Sequence, residues 1–505
     1  MADPLFDIQN SFPKLTGSNH DIALTIGDGS ITYACLNERI ESFASGLVTE
    51  QEDLSEERIA FLIPGSLDYV TTLLGIWKAG GIAVPLSVSS AIPELQHALS
   101  SAAVTRIIVG KEYREKLREL CQTLAITMTS TEDVINVHSA RHLSSSFPLL
   151  DAGRRAMILF TSGTTNKPKG VVTTHGNICA QITTLVDAWE WQKSDTIPLF
   201  LPLHHVHGII NVLCCALWAG ACVDIYPSFN MDKIVENIIA RKYSVFMAVP
   251  TVYSKLIQYI GSVPAERQDA ICAGFNAMRL NISGSAACPI PIFEKWKKLT
   301  QQTLLERYGM TEIGMAISNP YRGERRAGAV GLPLPGVEVA LFDEANEIIT
   351  NEDISGEIRV RGSSVFLEYW NNIQATNETF NEGWFCTGDV GILEAGYYRI
   401  MGRSSIDIIK SGGYKLSALE IEGVLLNHED IDECAVIGVA DETWGESVTA
   451  FLVLRPNTQL SIEGLKSWSK DKMSTYKIPK EIKVVDSLPR NAMGKVTKKE
   501  LKKWL

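Results

Sequence analysis

Short apolar runs separated by helix-length amphipathic segments constrain this chain more than any other feature. Residues 58–63 (R-I-A-F-L-I) read as a strand, and 67–78 (L-D-Y-V-T-T-L-L-G-I-W-K) as a helix stopped by Gly80 and Gly81. Residues 82–85 and 105–109 read as the next two strands. A strand, a crossover helix and a second strand build a parallel sheet. The pattern returns with strands at 244–249 and 279–282 and helices at 253–260 and 292–299. From about Gly328 the runs shorten and turn β-rich, at 337–342, 356–360 and 398–401, the texture of an antiparallel subdomain. Past Arg403 the pattern is small α+β: helices at 418–426 and 462–472, strands at 434–439, 448–454 and 481–485, then a lysine-rich terminal helix. At 505 residues the chain exceeds a single domain of roughly 100–200 residues. The expected fold is α/β. A large domain over 1–402 holds stacked, mostly parallel sheets and the β-rich subdomain, and a small α+β domain follows over 403–505.

Charge and composition narrow the partners. A net charge of −11 argues against a nucleic-acid surface, which needs a basic face. The most apolar stretch, 212–223, falls short of the roughly 20 residues that span a bilayer, so it is expected to be a buried helix or strand. The first residues carry Asp3, Asp7, Asp21 and Asp28 and no apolar or Arg-rich targeting stretch, so a cytoplasmic location is expected as the chain stands. The 10 cysteines are scattered without a C-x-x-C pair, which points to reduced thiols rather than disulfides or zinc.

After the apolar run ending at Phe160 comes a loop of small and hydroxylated residues: Thr161, Ser162, Gly163, Thr164, Thr165, Asn166, Lys167, Pro168, Lys169 and Gly170. Small residues let backbone N–H groups converge on a phosphate, hydroxyls add donors, and lysine adds charge. The Walker spacing G-x-x-x-x-G-K-[ST] is absent, because Lys169 precedes Gly170. A solvated turn is the bland alternative for any such stretch taken alone.

The arrangement T-S-G-T-T-x-x-P-K-G resembles the phosphate loop of the adenylate-forming, acyl-activating superfamily. Further segments share the resemblance, in order: Tyr308-Gly-Met-Thr-Glu312, Thr387-Gly-Asp389, Gly402-Arg403, Lys410-Ser-Gly-Gly-Tyr-Lys415 and Pro489-Arg-Asn-Ala-Met-Gly-Lys495. Asn166 departs from the family's more frequent glycine, and Asn tolerates positive φ best after Gly.

The resemblance implies an ATP- and Mg²⁺-dependent acid–thiol ligase with CoA as co-substrate. Thr161, Ser162, Gly163, Thr164, Thr165 and Lys169 would hold the β- and γ-phosphates. Glu312 would bind Mg²⁺, Thr311 a phosphate oxygen and Tyr308 the adenine, with Gly284, Ala286, Ala287 and Gly309 also among the cofactor-binding residues. Asp389 and Arg403 would hold the ribose, and Lys495 the α-phosphate and the reacting carboxylate. The small domain would rotate between half-reactions about Ser404 or Ser405, withdrawing Lys495 and bringing the Ser411, Gly412, Gly413 turn towards the thiol. Taken singly, Asp389 could be a turn cap and Glu312 a surface acid. Lys498, Lys499, Lys502 and Lys503 read as a solvated helix face.

Three histidines fall in Pro202-Leu-His-His-Val-His-Gly208. H-x-H after an apolar run is also a metal-hydrolase pattern, the rival from another class. The family resemblance instead sets His205 beside the acyl carboxylate and His207 in the pocket wall. The runs at 202–208, 249–255, 283–287, 306–312, 318–320 and 328–337 resemble the malonyl-CoA synthetase branch. A buried second carboxylate needs a cation and donors. The bacterial members use an Arg and a Ser, whose positions fall on Lys255 and Ser285, with Met310 in the same pocket. Malonate is thus the implied acid, with methylmalonate or another short dicarboxylate as the alternative. The chain would be a monomer or homodimer, and by resemblance the mitochondrial matrix is the alternative compartment. A catalytically dead adenylate-binding module is a third reading, opposed by the presence of both Glu312 and Lys495.

Overall fold

The computed structural model describes residues 12–48, 52–141, 147–161, 168–411, 414–490 and 495–505. Five sheets order the chain. The seven-stranded sheet runs Glu368–Tyr369, Lys169–Thr174, Arg155–Thr161, Ile82–Pro85, Arg58–Leu62, Arg106–Val109, Thr127–Thr129. Its inner strands are parallel, and Lys169–Thr174 turns back antiparallel to Arg155–Thr161.

A five-stranded sheet begins with parallel Val245–Ala248, Leu280–Ser283 and Leu305–Met310, then turns antiparallel through Gly314–Ser318 and Leu332–Pro333. A four-stranded sheet containing Ile22–Ile26, Cys222–Ile225 and Thr196–Leu199 abuts it, since the Ser244 N–H donates to Thr196 O at 3.0 Å. The expected β-rich subdomain is the antiparallel sheet of Val337–Phe342, Gly356–Gly362, Trp384–Glu394 and Tyr397–Arg403. The last sheet, Tyr414–Ser417, Ile408–Ser411, Gly445–Leu454, Ile431–Asp441 and Glu481–Val484, follows Arg403.

Local chemistry explains the elements that frame the site. Helix Leu67–Lys78 starts where the Ser66 side chain accepts from Tyr69 N–H, and it carries Asp68 in its first turn and Lys78 in its last. It stops at Gly80, whose φ of +80° suits glycine. Helix His175–Ala188 opens with a reciprocal cap between Thr174 and Asn177. The apolar stretch read as a buried helix or strand is both. Part of the wide-turned π-helix His207–Cys214 and the helix Cys215–Ala219 lead into strand Cys222–Ile225. No helix among the described residues is long and apolar enough to cross a membrane.

Three apolar cores are built from residues between 12 and 398, and two others from residues between 409 and 501. The lysine-rich end is a short helix, Lys498–Leu501, followed by a 3-10 turn, Lys502–Trp504. Lys499, Lys502 and Lys503 are exposed as expected. Lys498 corrects the expectation of a solvated face: it is 8% exposed, and its ammonium meets Asp407 and Glu422.

Glu306 is buried in strand Leu305–Met310, where its carboxyl accepts weakly from Gly328 and Cys288 N–H groups, each at 3.3 Å. Burial raises its pKa to about 8, with the two N–H groups opposing. A carboxyl whose pKa is higher folded than unfolded holds its proton in the fold while the unfolded chain ionises. Stability therefore falls as pH rises from the unfolded value and levels off above about 8. Glu306→Gln should remove that slope. Urea unfolding of both proteins at about pH 5 and about pH 8 should show the variant gaining roughly 4 kcal/mol on wild type across the interval. Parallel pH profiles would contradict the assignment.

Candidate active site

Most site residues follow the carboxyl ends of parallel strands, where open α/β sheets bind ligands. Thr161 ends Arg155–Thr161 and pairs in register with Lys169 on the neighbouring antiparallel strand. Ser162, Gly163, Thr164 and Thr165, expected to contact phosphates, lie outside the described residues, as does Asn166. The Lys169 ammonium stands 4.8 Å from the centre of the Tyr369 ring. The Tyr369 hydroxyl donates to Glu312 Oε1 at 3.0 Å. Tyr369 thus joins the phosphate-loop strand to Glu312. Sequence reasoning missed it, and its one signal is the aromatic pair Tyr369-Trp370 after the β-rich segment begins.

The Tyr308-Gly-Met-Thr-Glu312 segment is a hairpin. Strand Leu305–Met310 folds back on Gly314–Ser318, with Thr311, Glu312 and Ile313 as the connection. Gly309 and Gly314 are needed there. A β-carbon at Gly309 would overlap Gly314 O and Met315, and Gly314, at φ +64°, would overlap the Gln181 amide. Phe366 N–H donates to Glu312 O at 2.7 Å, and Ser364 Oγ donates to Ile313 O at 3.0 Å, which fixes the turn. Glu312 is 7% exposed. Burial raises its pKa, with Tyr369 and the more distant Arg403 opposing.

Tyr308, Asp389 and Arg403 form one cluster. The Tyr308 hydroxyl donates to Asp389 Oδ2 at 2.6 Å, and Arg403 Nε donates to Asp389 Oδ1 at 2.9 Å. Asp389 and Arg403 are cross-strand partners in the antiparallel sheet. Burial raises the Tyr308 phenol well above its ordinary value, and the Asp389 charge adds to this.

Beyond strand Leu280–Ser283 the backbone passes Gly284 to Ser285, a non-glycine residue at φ +67°. Such conformations cluster at functional sites. Ser285 Oγ and His207 Nδ1 are 3.0 Å apart. The Arg307 guanidinium lies so close over Gly284 that any side chain there would overlap it. Arg307 is 5% exposed, and its Nε and Nη2 find no hydrogen-bond partner among the described residues. Burial lowers its pKa to about 9. His207 Nε2 likewise has no partner among the described residues.

The histidines are held neutral by burial. His204 is lowered to about 4 and His205 to about 3, the latter also by the charge of Lys495. His207 is lowered further, by burial and then by Arg307. Lys495 keeps solvent access along its side chain, yet the protein crowded around it and the charges of Arg307 and Arg403 lower it, with Asp389 opposing. The structure therefore brings Lys495 into the same electrostatic neighbourhood as His205, His207, Arg307 and Arg403.

Lys255, expected to meet the far carboxylate, is an exposed residue of helix Pro250–Ser262, and a second cation, the buried Arg307, lies against Gly284. The signal for Arg307 was present: it is a charged residue in the alternation of a strand that begins with buried Leu305. Ala286 and Ala287 are exposed, Gly284 is buried, and Met310 is half-buried at the hairpin end. Ser411 is buried next to Gly445, and Gly412 and Gly413 lie outside the described residues. Among the described residues no three His, Cys, Asp or Glu side chains converge as a metal site, so His204, His205 and His207 do not assemble the hydrolase centre of the rival reading.

Comparison with known proteins gives the same picture. Residues 14–370 match the AMP-binding enzyme family model, and residues 420–495 match the AMP-binding enzyme C-terminal domain. The mitochondrial malonate–CoA ligase ACSF3 of Mus musculus is 43% identical, over 96% of this chain and 88% of its own. The malonate–CoA ligase of Arabidopsis thaliana is 39% identical, over 98% and 84%. The crystal structure of ATP-bound MatB from Rhodopseudomonas palustris superposes with a TM-score of 0.89 at 31% identity, covering 98% of each chain. With family models spanning both the sheet-based body and the residues past the Arg403 turn, the chain belongs to the AMP-binding, adenylate-forming enzyme family.

Proposed function

We propose that the chain is an ATP-dependent malonyl-CoA synthetase. The carrying observation is Arg307, a buried guanidinium that lies against Gly284 and close enough to His207 to lower it, with two nitrogens unpartnered among the described residues. A buried cation left unpaired is costly, and the anion of a ligand would offset that cost. An acid whose far end is a second carboxylate meets that need, and the names of the ligase relatives agree with malonate.

In the first half-reaction one malonate carboxylate oxygen attacks the α-phosphorus of ATP, and the bond to the pyrophosphate oxygen breaks. In the second, the CoA thiolate attacks the acyl carbon and AMP leaves. Arg307 and Ser285 hold the far carboxylate, and His207 closes the pocket wall. His205, neutral at physiological pH, lies by the reacting carboxylate and lets it stay ionised as the nucleophile. Tyr308 and Gly309, with Gly284, Ala286 and Ala287, bound the adenine site. Asp389 and Arg403 take the ribose hydroxyls.

Thr161 and Lys169 frame the β- and γ-phosphates, with Thr311 on a phosphate oxygen. Glu312 suits Mg²⁺, because one buried carboxylate completed by phosphate oxygens and water is that ion's usual donor set. Bound there, Mg²⁺ would offset the charge of the departing pyrophosphate. Tyr369 fixes the Glu312 carboxylate by its hydroxyl. Lys495 stabilises the α-phosphate in the transition state. We place the domain division at 402/403, with 403–505 turning between half-reactions so that the 411–413 turn replaces Lys495. Separate apolar cores on either side support that division. The mitochondrial names of relatives support a matrix location.

ATP–pyrophosphate exchange over a panel of acids tests the function. Malonate should stimulate it and acetate should not, and faster exchange with a monocarboxylate would reject the assignment. Arg307→Met should lower kcat/KM for malonate by roughly 10²–10³-fold, the loss expected when a buried ion pair loses one partner, with little change in KM for ATP. Lys255→Ala should change neither by more than about twofold, as for an exposed charge. Lys495→Ala should abolish exchange while thioester formation from preformed malonyl-adenylate and CoA persists. Equal loss of both steps would contradict the alternation.

A further inference from the structure

The segment that carries Lys495 is tied down by charges with no place in the chemistry above. Arg490 and Val496 form an antiparallel bridge, and Thr497 N–H donates to Pro489 O at 2.8 Å. These contacts hold Pro489 and Arg490 against Val496 and Thr497, the residues that follow Lys495. On one side, Arg490 pairs with Glu433 at 2.7 Å on strand Ile431–Asp441. On the other, Lys498 opens the last helix and points inward. Its ammonium lies 2.6 Å from Asp407 Oδ1 and 2.7 Å from Glu422 Oε1.

Each carboxylate is itself fixed. Asp407 Oδ2 accepts Arg403 N–H at 3.1 Å, and Asp407 N–H donates to Arg403 O at 2.7 Å. The Asp407 side chain packs on Gly402, which at φ +123° and with no space for a side chain must be glycine. Glu422 Oε1 also accepts Val436 N–H at 2.7 Å. Lys498 therefore links the Lys495 segment to helix Ala418–Leu425 and to the turn after Arg403. Burial opposes its charge, but the two carboxylates outweigh burial and raise its pKa, so it stays an ammonium.

A buried ion cluster is a poor source of stability compared with apolar side chains of the same volume. What it supplies is a fixed relative geometry. We propose that Lys498 is a positioning residue for adenylation: its buried pairing with Asp407 and Glu422 sets the Lys495 segment at the distance from the Arg403 turn that lets Lys495 reach the α-phosphate. This inference rests on the adenylate-forming reading. Under that reading Lys495 serves the first half-reaction only. A loss of positioning must therefore appear in that half-reaction, whereas general damage to the C-terminal core appears in both.

The test uses the full chain as wild type, Lys498→Met, Lys498→Arg and Asp407→Asn. Malonate-dependent ATP–pyrophosphate exchange reports the first half-reaction, and CoA with preformed malonyl-adenylate reports the second. In Lys498→Met the exchange rate should fall roughly a hundredfold, the cost of an ångström-scale misplacement, with thioester formation within about threefold of wild type. Lys498→Arg keeps the charge and should recover most of the exchange. Asp407→Asn should show the same one-sided loss at roughly tenfold, and it carries the test if Lys498→Met does not fold. Exchange near the wild-type rate in Lys498→Met or Asp407→Asn overturns the proposal, as does equal loss in both half-reactions. A wild-type protein with no malonate-dependent exchange overturns the functional reading, and this inference with it.

Discussion

Adjacent residues on a strand point to opposite faces, so they cannot neutralise each other however suited their charges are. Glu306 and Arg307 are buried, opposite in sign and consecutive in strand Leu305–Met310. Glu306 faces Cys288 and Gly328, where only backbone donors meet it, and there it is held towards its neutral acid. Arg307 lies against Gly284, acts electrostatically on His207, keeps its charge, and has two nitrogens without a partner among the described residues. The same strand then runs through Tyr308 into the turn that carries Thr311 and Glu312. One register thus fixes Arg307, the Tyr308–Asp389–Arg403 cluster and Glu312 relative to one another. A slip by one residue would exchange the two buried charges between faces and dismantle all three.

The net charge of −11 belongs to the molecule and not to the cleft. Arg307, Arg403 and Lys495 stand near enough for the two arginines to lower the lysine, with Asp389 opposing them. Asp389 is already engaged by Arg403 and Tyr308. The cleft therefore holds concentrated positive charge before any ligand arrives. Such fixed charge needs no reorganisation when anionic substrates react, which is where electrostatic catalysis gains most. Neutral histidines suit this setting, since protonating His205 or His207 would add charge beside Arg307 and Lys495.

Much of the fold was legible because local signals agreed. Helix Leu67–Lys78 has a Ser66 cap, a Gly80 stop and an apolar stripe, and strand Val337–Phe342 lies between turn residues, so both match their sequence readings end to end. Neighbouring elements gained or lost a residue or a turn where pairing extends past the apolar run, as in Ile431–Asp441. The wide-turned helix His207–Cys214 was not legible, because an apolar run does not encode its pitch. The site was legible as motifs and less so as directions. Lys255 and Arg307 both lie in family-like runs, but only the fold reveals that one is exposed and the other buried against Gly284. Lys498 sat in a lysine run that reads as surface. Its burial depends on Asp407 and Glu422, which are brought to it by folding alone.

The pocket around Arg307 also constrains what kind of group can enter. Guanidinium nitrogens are donors without acceptor capacity. Whichever tautomer His207 adopts against Ser285, the two unpartnered Arg307 nitrogens require acceptors. A carboxylate offers acceptors only and brings the charge that Arg307 lacks. A carboxamide of the same shape would turn an N–H₂ towards donors and leave the cation uncompensated, and a methyl group would leave it unpaired as well as unsolvated. The half-amide of malonate and the simple monocarboxylates should therefore be rejected by the same two nitrogens. Discrimination at this end of the acid needs no steric device, because it follows from burying a guanidinium with two nitrogens that find no partner among the described residues.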